Sequence, residues 1–165
     1  MSAENYVVDA NVYIEAYRRY YAFDFGTKFW ACLKEHSATG RVVSIDRVLD
    51  ELRKGKDELA DWACNTCCES FVTTDRPDVI YNFGKIMNWV QGQGHYFDGA
   101  KNAFAGGADG WLVAYAMAAG HTVVTHEEYN AEIRKQVKIP NVCRAFGIRY
   151  VNTFTMLREL GTKLA

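Results

Sequence analysis

Tyr6-Val7-Val8-Asp9-Ala10-Asn11 is an unbroken apolar run that ends abruptly in a carboxylate, and few folds accommodate that combination. Aromatic and β-branched residues favour extended backbone, and apolarity at consecutive rather than alternate positions suits a strand covered on both faces. The run therefore predicts a central strand of a parallel sheet. From Asn11 onward the chain reads as a helix, which places Asp9 in a strand-to-helix turn at the carboxyl edge of the sheet. Open α/β sheets bind their ligands at that edge.

The rest of the chain alternates between the two periods. Tyr13, Tyr17, Tyr20 and Tyr21 fall on one face of a helix from Asn11 to Tyr21, and Asp24-Phe25-Gly26 breaks it. Phe29, Trp30, Cys32 and Leu33 form the apolar side of a second helix ending near Gly40. Arg41-Val42-Val43-Ser44 predicts a strand, followed by a helix capped by Asp46, buried through Val48, Leu49 and Leu52, carrying Glu51 and ending at Gly55. A further helix is expected from Asp57 to Cys68, then a minor strand or loop at Phe71-Val72-Thr73. Pro77 opens a helix with Val79, Ile80, Phe83, Ile86, Met87 and Val90 at helical spacing.

Gln91 to Gly107 is glycine-rich and reads as an irregular, mobile surface insertion. Asp109 then sits in the first turn of a strongly helical stretch that runs to Ala119 and stops at Gly120. His121 to Thr125 predicts a third strand with His126-Glu127-Glu128 just past its end, and Ile148 to Val151 a fourth. Short helices are expected from Asn141 to Phe146 and, capped by Thr153, from Thr153 to Leu160. This alternation predicts an α/β domain with a mainly parallel central sheet and right-handed crossovers.

A chain of 165 residues, 49% hydrophobic and 14% aromatic, suits a single domain over 1–165 with a substantial core. Its apolar runs are shorter than a membrane span and no leader-like segment is legible, so no membrane association and a cytoplasmic location are expected. Five cysteines, an odd number, argue against a secreted disulfide framework. Cys64-x-x-Cys67-Cys68 is half of a zinc pattern, to which Cys32-x-x-x-His36 would add, but no second CxxC follows and buried cysteines are the better reading. Gly92-Gln93-Gly94 and Gly106-Gly107 lack the lysine of a phosphate-binding loop.

A net charge of -1 excludes a protein that coats nucleic acid through bulk charge. Locally, Arg18, Arg19, Lys28, Lys34, Arg41, Arg47, Arg53, Lys54 and Lys56 outnumber the acids of the first third. Two readings fit that excess: a basic surface beside an acidic pocket, or a pair of solvated helix faces.

Asp9 and Glu127 each follow a strand on the same edge, and Asp109 and Glu51 lie on helices that can look toward it. Converging carboxylates repel one another and hold their protons more tightly unless a cation is present. Their oxygens are hard donors suited to Mg²⁺ or Mn²⁺, and such an ion activates water and offsets charge on a phosphodiester. Singly, each acid has a plainer reading: Asp9 as a helix cap, Glu51 as a solvated side chain, Asp109 as a partner of the helix dipole. Their joint order favours the site.

Val7-Val8-Asp9-Ala10-Asn11 resembles the opening motif of PIN domains, and Val48-Leu49-Asp50-Glu51-Leu52 followed by Gly55 resembles their second. Ala108-Asp109-Gly110-Trp111-Leu112-Val113-Ala114-Tyr115-Ala116 is similar to the third, and Val123-Val124-Thr125-His126-Glu127 to the final strand motif. The resemblance covers nearly the whole chain and is to the VapC-type branch of that family. It implies a three-layer α/β/α domain and an Mg²⁺- or Mn²⁺-dependent endoribonuclease toxin of a toxin–antitoxin pair. It further implies an acidic quartet of Asp9, Glu51, Asp109 and Glu127, supported by Asn11 and Thr125 through hydrogen bonds. RNA would be the substrate and a protein antitoxin the partner, with a homodimer also compatible; the tyrosine helix offers the antitoxin a docking face. The family usually ends its quartet with Asp, whereas Glu127 and Glu128 stand here side by side, and both remain open as the last acid. Two rivals are a non-catalytic PIN-like metal- or partner-binding module and a receiver-like phosphotransfer domain; the latter lacks a second Asp after Asp9 and a clear active-site lysine.

Overall fold

β1 (Tyr6–Val8) lies in the middle of a five-stranded sheet with the order β3-β2-β1-β4-β5, formed with β2 (Val42–Ile45), β3 (Phe71–Val72), β4 (Thr122–Val124) and β5 (Tyr150–Val151). Every pairing is parallel. The computed structural model describes residues 4–162, so the extreme ends of the expected 1–165 domain lie outside the described residues. Tyr6, Val7 and Val8 pair with Thr122, Val123 and Val124 on one side, and Tyr6 and Val7 with Val42 and Val43 on the other. All residues of β1, β2 and β4 are buried, which is why these strands read as apolar runs rather than alternations.

The helices are α1 (Ala10–Glu15), α2 (Thr27–Ala38), α3 (Asp46–Arg53), α4 (Glu58–Asp61), α5 (Pro77–Gln91), α6 (Asp98–Gly106), α7 (Asp109–Ala119), α8 (Ile139–Ala145) and α9 (Thr153–Glu159). The chain steps from β1 to β2 to β3 in one direction and then returns past β1 to β4 and β5. β1 and β4 therefore flank the point where the strand order reverses. α7 packs across β1, β2 and β4 and against α5. Leu112 of α7, Ile86 of α5 and Ile139 of α8 are fully buried, each contributing about 1.5–3 kcal/mol of transfer free energy. Among the described residues no helix is long and apolar enough to cross a membrane.

Several local expectations are corrected by packing. The glycine-rich segment is not irregular throughout: α6 occupies its second half, with Ala100 and Phe104 buried and Lys101 donating to the Gln91 carbonyl at 3.1 Å. Burial and a cation on the last carbonyls of α5 outweigh the poor propensity of Gly99 and Gly106. Asp46 is not a cap but the first residue of α3, and its carboxylate accepts from the Thr74 amide and hydroxyl at 3.1 and 2.9 Å. Asn152, not Thr153, caps α9 by accepting from the Thr155 amide. The helix expected to reach Cys68 is α4 alone, followed by a π-helical turn over Trp62–Thr66 and a short 3₁₀ turn over Cys68–Ser70. The wider turn falls where Trp62 packs among Tyr13, Phe23 and Trp30.

The tyrosine helix changes most. α1 runs into a second π-helical turn at Ala16–Tyr20, closed by the Tyr21 amide on the Ala16 carbonyl. Tyr13 is buried against Trp62 and Phe71, and Tyr17 is half-buried beside Phe23. Of the four tyrosines expected on one face, Tyr13 is buried, Tyr17 and Tyr21 are half-buried and Tyr20 is exposed; the wider turn breaks the regular spacing that would have aligned them.

Candidate metal centre

Asp9 ends β1 with its amide on the Val124 carbonyl, while its own carbonyl receives the first amide bond of α1, from Val12. Its backbone is extended, and its carboxylate makes no capping bond to the helix it precedes. That carboxylate is buried, and Thr125, at the end of β4, donates its hydroxyl to Oδ2 at 3.1 Å. The same Thr125 oxygen accepts the Glu127 amide at 3.1 Å. Glu127 Oε1 accepts the Ile139 amide at 3.0 Å, which ties the loop after β4 to the start of α8. Two strands that neighbour only in the fold thus deliver Asp9 and Glu127 to one place.

Asp109 enters from α7. The first turn of α7 packs closely on α5 and α6 at Gly110, where a Cβ would stand 2.9 Å from Met87 Cε, 3.1 Å from Phe83 Cε2 and 3.2 Å from Phe104 Cε1. That leaves room for a small residue beside Asp109 but not for a branched one. Glu51, on α3, remains at the exposed rim.

The charges show that these groups share a neighbourhood. Burial above all, and then Asp109 and Glu127, hold the Asp9 carboxyl well above its ordinary range, with the Thr125 hydrogen bond opposing and Glu51 adding a little. Asp109 is pushed up to about 7 by burial and by Glu127 and Glu51. Burial raises the Glu127 carboxyl, with the Ile139 amide and Lys138 opposing; partial desolvation raises that of Glu51, with Lys54 and the Ala108 amide opposing. Like charges and low polarity reinforce one another here, an arrangement that concentrates at functional sites.

A hard divalent cation relieves exactly this repulsion, and the donors are all oxygens. Among the described residues, no three His, Cys, Asp or Glu side chains are already gathered tightly enough to enclose an ion. Mg²⁺ needs no such cage, because it retains several waters and is commonly held by one or two carboxylates. The cysteines form no competing cluster among the described residues: Cys32, Cys67 and Cys143 are buried, Cys64 half-buried and Cys68 exposed.

Glu127 acts on the charges of Asp9 and Asp109, whereas Glu128 is exposed; both line a recess shared with Thr125, His126, Tyr129 and Asn152. Asn11, in the first turn of α1, lines an open cleft of about 480 Å³ with Glu15, Arg19, Tyr20, His126 and Glu127. His126 Nε2 lies 3.0 Å from Thr153 Oγ1. Nothing in the sequence marks Arg19, Tyr20 and Thr153 as neighbours of Glu127; only their clustering of charged and aromatic types hinted at a surface.

The family model described as "Domain of unknown function (DUF4411)" matches residues 6–164. No curated protein matches the chain. Among solved structures, the chain is similar to FitAcB from Neisseria gonorrhoeae, with a TM-score of 0.58 at 18% identity, covering 90% of this chain and 98% of that one. It is similar to VapBC2 from Rickettsia felis bound to a DNA fragment from their promoter, with a TM-score of 0.56 at 14% identity over 89% and 97% of the two chains. It is also similar to VapBC-1 from nontypeable Haemophilus influenzae, with a TM-score of 0.55 at 16% identity over 89% and 96%. The chain shares the fold of these VapBC and FitAcB chains.

Proposed function

We propose that this chain, which belongs to the family described as "Domain of unknown function (DUF4411)", is a metal-dependent endoribonuclease and the toxin of a toxin–antitoxin pair acting in the cytoplasm. The observation that carries the reading is the acidic group itself. A buried Asp9 within electrostatic reach of Asp109 and Glu127, with Glu51 at its rim, sits at the reversal point of a parallel sheet. An acidic group so buried is costly to keep ionised without a cation, and a fold retains it where the cation is part of the work.

Asp9 and Asp109 are the principal ligands, Glu127 binds the same ion or a second, and Glu51 is a ligand or orients water from the rim. Bound Mg²⁺ or Mn²⁺ supplies an activated water and charge neutralisation on the phosphodiester. Thr125 orients Asp9 through its hydroxyl, and in doing so favours the ionised carboxylate. Asn11 and Glu128 support the site from the two recesses that Glu127 lines. The VapC-like fold supports a protein antitoxin as partner, whose role is to cover a nuclease that would otherwise cut its host's RNA.

The test is cleavage of a mixed RNA pool by purified protein with Mn²⁺, with EDTA, and with the Asp109→Asn variant. Cutting that requires Mn²⁺ and vanishes in both controls is the expected result. Calorimetric Mn²⁺ binding that Asp109→Asn removes, without any cutting by antitoxin-free protein, would instead identify a non-catalytic binding module.

A further inference from the structure

The cleft beside Glu127 has a second end. Tyr20 closes the π-helical turn of Ala16–Tyr20 and is 50% exposed; Phe154, in the first turn of α9, is 40% exposed. Their rings meet edge to face with centroids 6.3 Å apart. Phe154 adjoins Thr153, whose hydroxyl pairs with His126, and His126 adjoins Glu127 in the cleft lining. Arg19 lies in the same lining with its side chain largely exposed, and pairs with the half-buried Glu15 at 3.1 Å. An ion pair so exposed is worth little, so its guanidinium is free to exchange that carboxylate for a phosphate.

Two large aromatic faces left in water beside a polar cleft mark a binding surface. The company they keep selects the ligand. An apolar protein segment would gain nothing from Arg19, His126 and Asn11, whereas a nucleic acid uses cations for its phosphates and aromatic faces for its bases. Only unpaired bases offer a free face; those of a duplex are already stacked on both sides. Resting on the nuclease reading above, we infer that Tyr20 and Phe154 form a stacking platform for unpaired bases of the RNA, with Arg19 on an adjacent phosphate. The π turn serves this arrangement, since wide turns of that kind recur at functional sites and this one presents Arg19 and Tyr20 together at the helix end.

The experiment measures binding apart from cleavage, by fluorescence anisotropy of a short labelled single-stranded RNA on the full-length Asp109→Asn protein. Adding Tyr20→Ala or Phe154→Ala should weaken binding roughly 5- to 100-fold each, the span of base–aromatic stacking, and leave the weak binding of a duplex of the same sequence unchanged. Tyr20→Phe and Phe154→Tyr should restore it, and a 2-aminopurine placed in the strand should lose fluorescence on binding only when an aromatic is present at these positions. Thermal melts that match the parent show that the Ala variants are folded. Retained single-strand affinity in both Ala variants, equal losses for single strand and duplex, or loss only of a co-expressed protein partner would each overturn the platform. Wild-type protein that binds single strands through Tyr20 and Phe154 yet never cuts with Mn²⁺ would overturn the nuclease reading alone.

Discussion

Replacing Asp109 by Asn should stabilise the metal-free protein, and the size and pH dependence follow from the site. Burial, Glu127 and Glu51 raise the Asp109 carboxyl from its ordinary 3.8 to about 7. At about 1.4 kcal/mol per pH unit, that rise corresponds to a ceiling of about 4 kcal/mol lost to folding once the group is ionised. Below about pH 4 the carboxyl is protonated in both states and costs nothing. Between 4 and 7 the unfolded chain releases the proton while the folded one keeps it, so stability falls as pH rises; above about 7 the loss is complete. Because Asp9 and Glu127 share the repulsion and can adjust, roughly 2 kcal/mol is the realistic gain for Asp109→Asn at pH 8, or about 4–8 °C in Tm for a chain of this size. The assay is thermal unfolding in EDTA at pH 8 and pH 4. The variant should melt higher at pH 8 and alongside the wild type at pH 4, and Mn²⁺ should raise the Tm of the wild type but not of the variant. An Asn variant that melts at or below the wild type at pH 8 would show that these acids do not burden one another, and the site would lose its physical basis.

Two further substitutions probe how the acids are held. Thr125→Val removes both the hydroxyl donated to Asp9 and the acceptor of the Glu127 amide; it should cost about 1–3 kcal/mol in urea unfolding and weaken Mn²⁺ binding at pH 7 in calorimetry. At Gly110, Ala should be near neutral, since the closest obstruction is the flexible end of Met87 and a helical alanine is favoured. Val must also displace the Phe83 and Phe104 rings, and should cost about 1–3 kcal/mol with a matching loss of Mn²⁺ affinity as α7 shifts.

The features legible in the sequence are those decided within a few residues. The apolar run of Tyr6–Val8 reads as a buried parallel strand because burial on both faces abolishes alternation, and it lies at the centre of the sheet. α7 ends at Gly120 because only glycine adopts its φ of 70° without strain. Pro77 opens α5 because its missing amide costs nothing there. Order and spacing also placed the acids near the carboxyl edge, since strand ends of a parallel sheet share one side.

Tertiary structure decided what depends on contact between distant segments. α6 exists because Phe104 and Ala100 find a surface to bury against and Lys101 finds a carbonyl, none of which shows in a glycine-rich string. Tyr13 is buried and Tyr20 exposed because a π turn between them alters the helical phase, which regular periodicity does not anticipate. Thr125 meets Asp9 across 116 positions of sequence, and the Glu127 carboxylate accepts the Ile139 amide from the start of α8. The sequence by itself determined which short segments become strands and helices, through propensity, periodicity and terminators acting locally. The order of the strands in the sheet and the packing of α7 on β1, β2 and β4 decided which carboxylates meet, because repulsion, burial and hydrogen bonding act through distances that only the folded chain sets.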